Sequence, residues 1–425
     1  MTSADTRAAI DAVWRIESPR LIAGLARIVR DVGIAEDLAQ DALVAALQQW
    51  PESGIPDNPG AWLMATAKHR AIDHLRRNQR LERKHEELGY EFKALEMSVP
   101  DLNAAIDDPI GDDLLRLVFV ACHPVLSSEA RVALTLRLLG GLTTDEIARA
   151  FLIPEPTVAQ RIVRAKRTLA EARVPFEVPR GTELSARVSS VLAVIYLIFN
   201  EGYSATAGED WIRPALCEDA LRLGRILAEL APNEPEVHGL VALMEIQASR
   251  AKARVGPSGE PVLLLNQNRA RWDQLLIRRG LAALERANKL GRAPGPYLVQ
   301  AEIAACHARA RTPNETDWPR IVELYDALAQ LMPSPVVELN RGVAVGMASG
   351  PAAGLEVVDE LTSEPSLRNY HLLPSVRGDL LRKLGRLDEA RAEFERAAAL
   401  TRNTRERDLL LERARACASA SSESQ

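Results

Sequence analysis

From Ala8 onward, apolar residues recur at three- and four-residue intervals, and stretches that alternate strictly between apolar and polar are missing. That period gathers apolar side chains on one face of a helix, whereas a half-buried strand needs a period of two. The chain is therefore expected to be all-α. Breaks in the pattern set its divisions. A helical region runs over residues 1–84, and an irregular stretch with Pro100 and Pro109 makes a linker over 85–113. A second helical region covers 114–176, degenerate helical repeats fill 177–420, and a short disordered tail is expected at 421–425.

Within the first region, a helix opening with Ala35-Glu36-Asp37-Leu38-Ala39-Gln40-Asp41 ends near Trp50. A loop from Pro51 to Gly60 follows, and helical spacing resumes from Ala61 to Arg77. In the second region, Thr143 and Glu146 stand at capping-box spacing ahead of a short amphipathic helix. After the turn Ile153-Pro154-Glu155, Pro156 falls in the first turn of another helix, where its missing N–H does no harm. That helix offers Val158, Ile162, Val163 and Leu169 for packing and carries Gln160, Arg161, Arg164, Lys166 and Arg167. Two helices, a tight turn and a basic second helix describe a helix-turn-helix.

The third region reads as stacked helix pairs. Leu384-Gly385-Arg386-Leu387-Asp388-Glu389-Ala390, followed by Phe394, Ala397 and Leu400, fits the tetratricopeptide (TPR) alternation of small and large residues that lets paired helices nest. Leu230-Ala231-Pro232 and Leu331-Met332-Pro333 stand about three 34-residue periods apart. Five or six units are expected, forming a TPR-like α-solenoid whose concave face suits a protein or peptide ligand. Gly346, Gly350 and Gly354 fall between two helices of one unit, where close packing explains them.

Charge adds the first functional information. The formal net charge is -5, and hydrophobic and charged fractions of 47% and 26% are those of an ordinary folded protein. Evenly spread, that acidity would oppose nucleic-acid binding. It is not evenly spread. From Lys68 to Lys84, seven Lys and Arg face only Asp73 and Glu82, and from Arg116 to Arg173 nine basic residues face five acidic ones. Between these two cationic stretches lies a run in which seven carboxylates oppose only Lys93.

No catalytic residue is assigned. Cys122-His123 has no second Cys or His pair at metal-ligand spacing, and a phosphate-cradling glycine loop is missing, so neither metal nor cofactor is expected. The longest apolar run, Val191 to Phe199, is far short of a membrane span. Four widely spaced cysteines and an N-terminus without a secretory pattern suit a cytoplasmic protein with reduced thiols.

The motifs together carry a resemblance. The helix from Ala35 to Leu43, the Trp62-Leu63 pair and Ala71-Ile72-Asp73-His74-Leu75-Arg76-Arg77 resemble region 2 of the extracytoplasmic-function (ECF) sigma factors of the sigma-70 family. The helix-turn-helix resembles sigma region 4. Ala121-Cys122-His123-Pro124, Phe199-Asn200-Glu201-Gly202-Tyr203, Gly239 to Met244, Thr316-Asp317-Trp318 and Glu338-Leu339-Asn340-Arg341 look like the ECF42-type subgroup with its TPR-like extension. His69 stands where Asn is usual in that group, and Asn268 where Asp is usual.

The resemblance implies a non-enzyme that binds core RNA polymerase through the β′ clamp helices and β flap and directs transcription from promoter DNA. Glu36, Asp37, Gln40 and Asp41 would meet the clamp helices. Asn58 in the loop, with Lys68, His69, Arg70, Arg76 and Arg77, would hold the melted -10 element, and Thr157, Gln160, Arg161, Arg164 and Arg167 would read the -35 element. Trp62 suits the core as well as DNA. The acidic linker serves equally as an occupant of the RNA path or as a solvated tether. The extension either replaces a separate inhibitor or adds polymerase contacts. The alternative for the whole chain is a stand-alone helix-turn-helix regulator with a TPR sensor.

Overall fold

A computed structural model describes residues 3–86 and 110–423, apart from 152, 180, 181, 206, 209, 210 and 258. Most of the acidic linker thus lies outside the described residues. The described chain divides into two compact units, Met1–Ile195 and Tyr196–Gln425. The division falls inside a helix rather than at the expected 176/177, so both cationic regions share one unit.

The described residues of the first unit form helices joined by short turns: α1 (Ser3–Val29), α2 (Val32–Ser53), α3 (Pro59–Glu86), α4 (Ile110–Ala121), α5 (Ser128–Leu138), α6 (Thr144–Phe151), α7 (Glu155–Glu171) and the first part of α8 (Thr182–Tyr203). Asp31 starts α2 by accepting a hydrogen bond from Ile34 N at 2.9 Å, satisfying one of the orphan amides of a helix start. On α2, Ala35, Ala39, Ala42 and Ala46 are buried at three- and four-residue spacing, and α1 packs closely on this helix. Leu63, Ala67 and Ala71 are likewise buried on α3. Trp50 is 1% exposed and meets Trp62 edge to face at 5.3 Å, so Trp62, half-buried, belongs to the packing of α2 on α3.

Three boundaries differ from expectation. α2 continues through Pro51 to Ser53, because a proline near a helix end forfeits little, and the loop shrinks to residues 54–58. α4 begins at Ile110, and Asp113 is a buried anchor, 3.0 Å from Arg27 of α1 and hydrogen-bonded to Arg116. At the C-terminus, helix runs to Glu423 where a tail was expected from 421.

The second unit continues from α8 through α9 (Pro214–Leu230), α10 (Pro235–Ala248), α11 (Gln274–Lys289), α12 (Pro296–Arg309), α13 (Trp318–Leu331), α14 (Pro335–Ala348), α15 (Pro351–Glu360), α16 (Leu372–Lys383), α17 (Leu387–Leu400) and α18 (Thr404–Glu423). Each helix packs on the next, so its cores follow one another along the chain. The small residues mark joints. A side chain on Gly354 would meet Gly346 Cα at 2.6 Å, which is why α14 and α15 cross there, and one on Gly239 would meet Leu298 N at 2.8 Å. Phe394, fully buried, fills the space that Gly378 leaves open.

Other motif residues of the extension tie segments together. Arg269 donates to the carbonyl oxygens of His307 and Ala310, at 2.8 and 2.6 Å, and so closes the C-terminal end of α12. Asn268 caps the short turn that aims it, accepting from Ala270 N at 3.0 Å. One feature departs from an open solenoid. Ala207–Gly208 pairs in parallel with Arg402–Asn403, and Asn403 Nδ2 donates to Ala205 O at 3.2 Å, so the first and last segments of this unit are joined.

Candidate nucleic-acid interface

The helix-turn-helix is built by local chemistry that the sequence announced. Thr143 N donates to Glu146 Oε2 at 2.8 Å and Glu146 N to Thr143 Oγ1 at 3.1 Å, a reciprocal box that starts α6. Pro156 lies in the first turn of α7. Val158, Ile162, Ala165 and Leu169 are buried, a stripe that seats α7 on α5 and α6.

The opposite stripe of α7 is bare. Gln160, Arg164 and Arg167 are exposed, and Arg161 and Thr157 flank them half-buried. Val163, expected in the packing, is 64% exposed between these polar residues; one helical step of 100° moves it off the buried stripe, and Ala165 takes the inward position. Arg167 is paired with Glu171 at 2.6 Å, an exposed contact one turn on that a competing phosphate can replace.

In α3, His69, Arg76 and Arg77 are exposed, Lys68 and Arg70 half-buried, and the inward positions are taken by Leu63, Ala67 and Ala71. His69 Nδ1 donates to Ala65 O at 2.7 Å, which turns its other nitrogen outward. Arg70 pairs with Asp41 of α2 at 3.1 Å, linking the cationic helix to the acidic one. Asn58 is exposed, but its Oδ1 already accepts from Ala61 N at 3.0 Å, so it starts α3 and presents only its amide nitrogen freely.

The four acidic-face residues of α2 have unlike surroundings. Asp37 and Asp41 are exposed. Glu36 is 2% exposed: its Oε1 lies 2.6 Å from Arg137 Nε of α5 and its Oε2 2.6 Å from Lys166 Nζ of α7. Gln40 donates to the same carboxylate at 2.6 Å. Burial alone would raise the Glu36 pKa, but Lys166 and Arg137, through charge and hydrogen bonds, hold it below the usual carboxylate range. Sequence spacing could place Glu36 on the acidic helix but could not reveal partners about a hundred residues away.

Cys122 belongs to the core. It is buried beside Thr135 Oγ1 at 3.4 Å, and burial pushes its thiol up to about 11, leaving it protonated at neutral pH. Among the described residues, no group of three or more His, Cys, Asp or Glu is placed to hold a metal ion, and no helix is long and apolar enough to cross a membrane.

An exposed basic second helix of a helix-turn-helix and a second cationic helix thus lie in one unit. Residues 14–81 match sigma-70 region 2, residues 116–169 match sigma-70 region 4, and residues 187–288 match a family of unknown function (DUF6596). Part of the chain is also similar to the probable ECF RNA polymerase sigma factor SigI of Mycobacterium tuberculosis, 27% identical over 169 residues, covering 40% of this chain and 57% of that protein. It is similar to the ECF RNA polymerase sigma factor SigK of Mycobacterium ulcerans, 29% identical over 149 residues, covering 34% of this chain and 75% of that protein. The first unit thus carries segments that match sigma-70 regions 2 and 4 in that order. The chain belongs to the family of the uncharacterized protein R00370 of Rhizobium meliloti, to which it is 42% identical over 402 residues, 93% of each chain.

Proposed function

We propose that the protein binds core RNA polymerase and directs promoter-specific initiation as an ECF sigma factor of the ECF42 type, its C-terminal helical-repeat unit regulating that activity. One observation carries the reading: α7 buries one stripe and leaves Gln160, Val163, Arg164 and Arg167 bare on the other. Gln160 and the arginines are types that make bidentate contacts with adenine and guanine edges or reach phosphates, and Val163 adds an apolar surface of the kind that meets a thymine methyl group. In the same reading, α3 supplies a cationic track for a melted -10 strand, with Lys68, His69, Arg70, Arg76 and Arg77 along its backbone and Asn58 at its start. Glu36, Asp37, Gln40 and Asp41 meet the β′ clamp helices, and region 4 sits on the β flap. The stacked helices of the repeat unit would take a protein or peptide ligand.

Reconstitution tests this. Purified protein, core polymerase and a promoter library should give initiation at a defined sequence only when both proteins are present. Duplex binding without core-dependent initiation would instead mark a stand-alone regulator with a TPR sensor.

A further inference from the structure

We propose that region 4 acts as an internal inhibitor of region 2, with the Arg137–Glu36–Lys166 cluster as the latch that hides the polymerase-docking face of α2. This names the regulation of the proposed sigma activity and rests on that reading. Two cations from region 4, on α5 and α7, converge on one carboxylate of α2, at 2.6 Å each, and take it almost wholly out of water. Lys166 also stands 3.7 Å from Asp37, and its alkyl stem crosses α2 at Gly33, where an added Cβ would lie 3.6 Å from its Cδ. Every acid that the latch engages belongs to the docking face, and neither cation belongs to the bare DNA stripe of α7. The same helix thus presents one face to DNA and gives another to α2.

Geometry requires the latch to open during function. Promoter elements centred near -10 and -35 are separated by about 25 base pairs, or about 85 Å of duplex. A compact unit of this length is about 40 Å across. Regions 2 and 4 cannot touch through Glu36 and occupy both elements together. Polymerase taking Glu36 for itself would free region 4 as it docks, so release and docking are one event.

The test uses the full chain and neutral variants of the cations, Lys166→Gln alone and Arg137→Gln/Lys166→Gln. Binding to core polymerase without DNA is measured by fluorescence anisotropy. Spin labels at exposed Gln48 and Ala170 report the distance between the two regions, and circular dichroism verifies that helix content is kept. If the closed form holds about 99% of wild-type molecules, moving a tenth of them open tightens apparent core affinity about tenfold. The double variant should reach at least that, with the label distance lengthened, and the single variant, which keeps Arg137 on Glu36, should fall between. An unchanged label distance in the double variant overturns the latch, as does unchanged or weaker core affinity in an opened variant. Failure of every form to bind core defeats the sigma reading instead, while the label distance still decides whether the latch exists.

Discussion

The acidic face of α2 and the basic face of α7 are both short charged stripes on amphipathic helices, yet one is covered and the other bare. α7 buries one apolar line, Val158, Ile162, Ala165 and Leu169, gives Lys166 to α2, and leaves the stripe opposite that line bare. α2 is packed on more than one side: α1 packs on it, and region 4 reaches Glu36 from another direction. Charge on a helix therefore does not reveal whether it faces water. A basic stripe opposite one buried line is exposed by default, whereas an acidic stripe can be drawn inward when two cations arrive from elsewhere in the chain and repay the desolvation.

The strongest way to break this contrast is to reverse α7. Arg161→Glu with Arg164→Glu removes two contacts, each worth about 1–3 kcal/mol, and places carboxylates against phosphate, so selectivity for the -35 element should fall by about 100-fold or more. Core binding should be unchanged, because neither residue touches α2. Retained promoter selectivity in run-off transcription would refute the role assigned to this stripe.

A smaller effect should separate α2 from α7 by pH. Glu36 titrates below the ordinary range in the folded protein, so its contribution is present above the unfolded value near 4.3 and is lost as pH falls through the lower folded value. Glu36→Gln should cost about 2 kcal/mol at pH 7, the scale of a hydrogen bond to a charged group, and the deficit should shrink toward pH 3. Urea midpoints across that range measure it. A deficit that stays constant with pH would mean that the carboxylate charge contributes nothing to the closed unit.

Much of this was legible without coordinates, for a physical reason. Thr143 with Glu146, and Pro156, act within a few residues of themselves, so spacing alone locates the starts of α6 and α7. Gly354 against Gly346 was readable too, since close packing is the simpler explanation of glycines at that spacing, although Gly350 between them serves its positive φ of 101° instead. Boundaries set by distant partners were not: Asp113 became the buried start of α4 because Arg27 lies in α1, and Glu36 became buried because of Arg137 and Lys166. The pairing of Ala207–Gly208 with Arg402–Asn403 joins segments nearly two hundred residues apart chiefly through backbone, and backbone pairing leaves no mark in side-chain periodicity.

Val163 offers the finest test of the contrast, because it is an apolar residue that a periodicity reading assigns to packing and the fold leaves 64% exposed. If its place is on DNA, Val163→Ser should leave thermal stability unchanged, since no buried surface is lost, and should alter preference at one position of the -35 element by less than about tenfold, the scale of a single methyl contact. Were it instead a packing residue, the same change would lower the melting temperature and weaken all promoters alike. Binding measured against duplexes carrying thymine, uracil or cytosine at each position separates the two, because uracil keeps the hydrogen-bonding edge of thymine and lacks only the methyl group. A response to uracil that disappears in Val163→Ser would place this side chain against that methyl, and equal responses in both proteins would return the bare stripe of α7 to its polar residues alone.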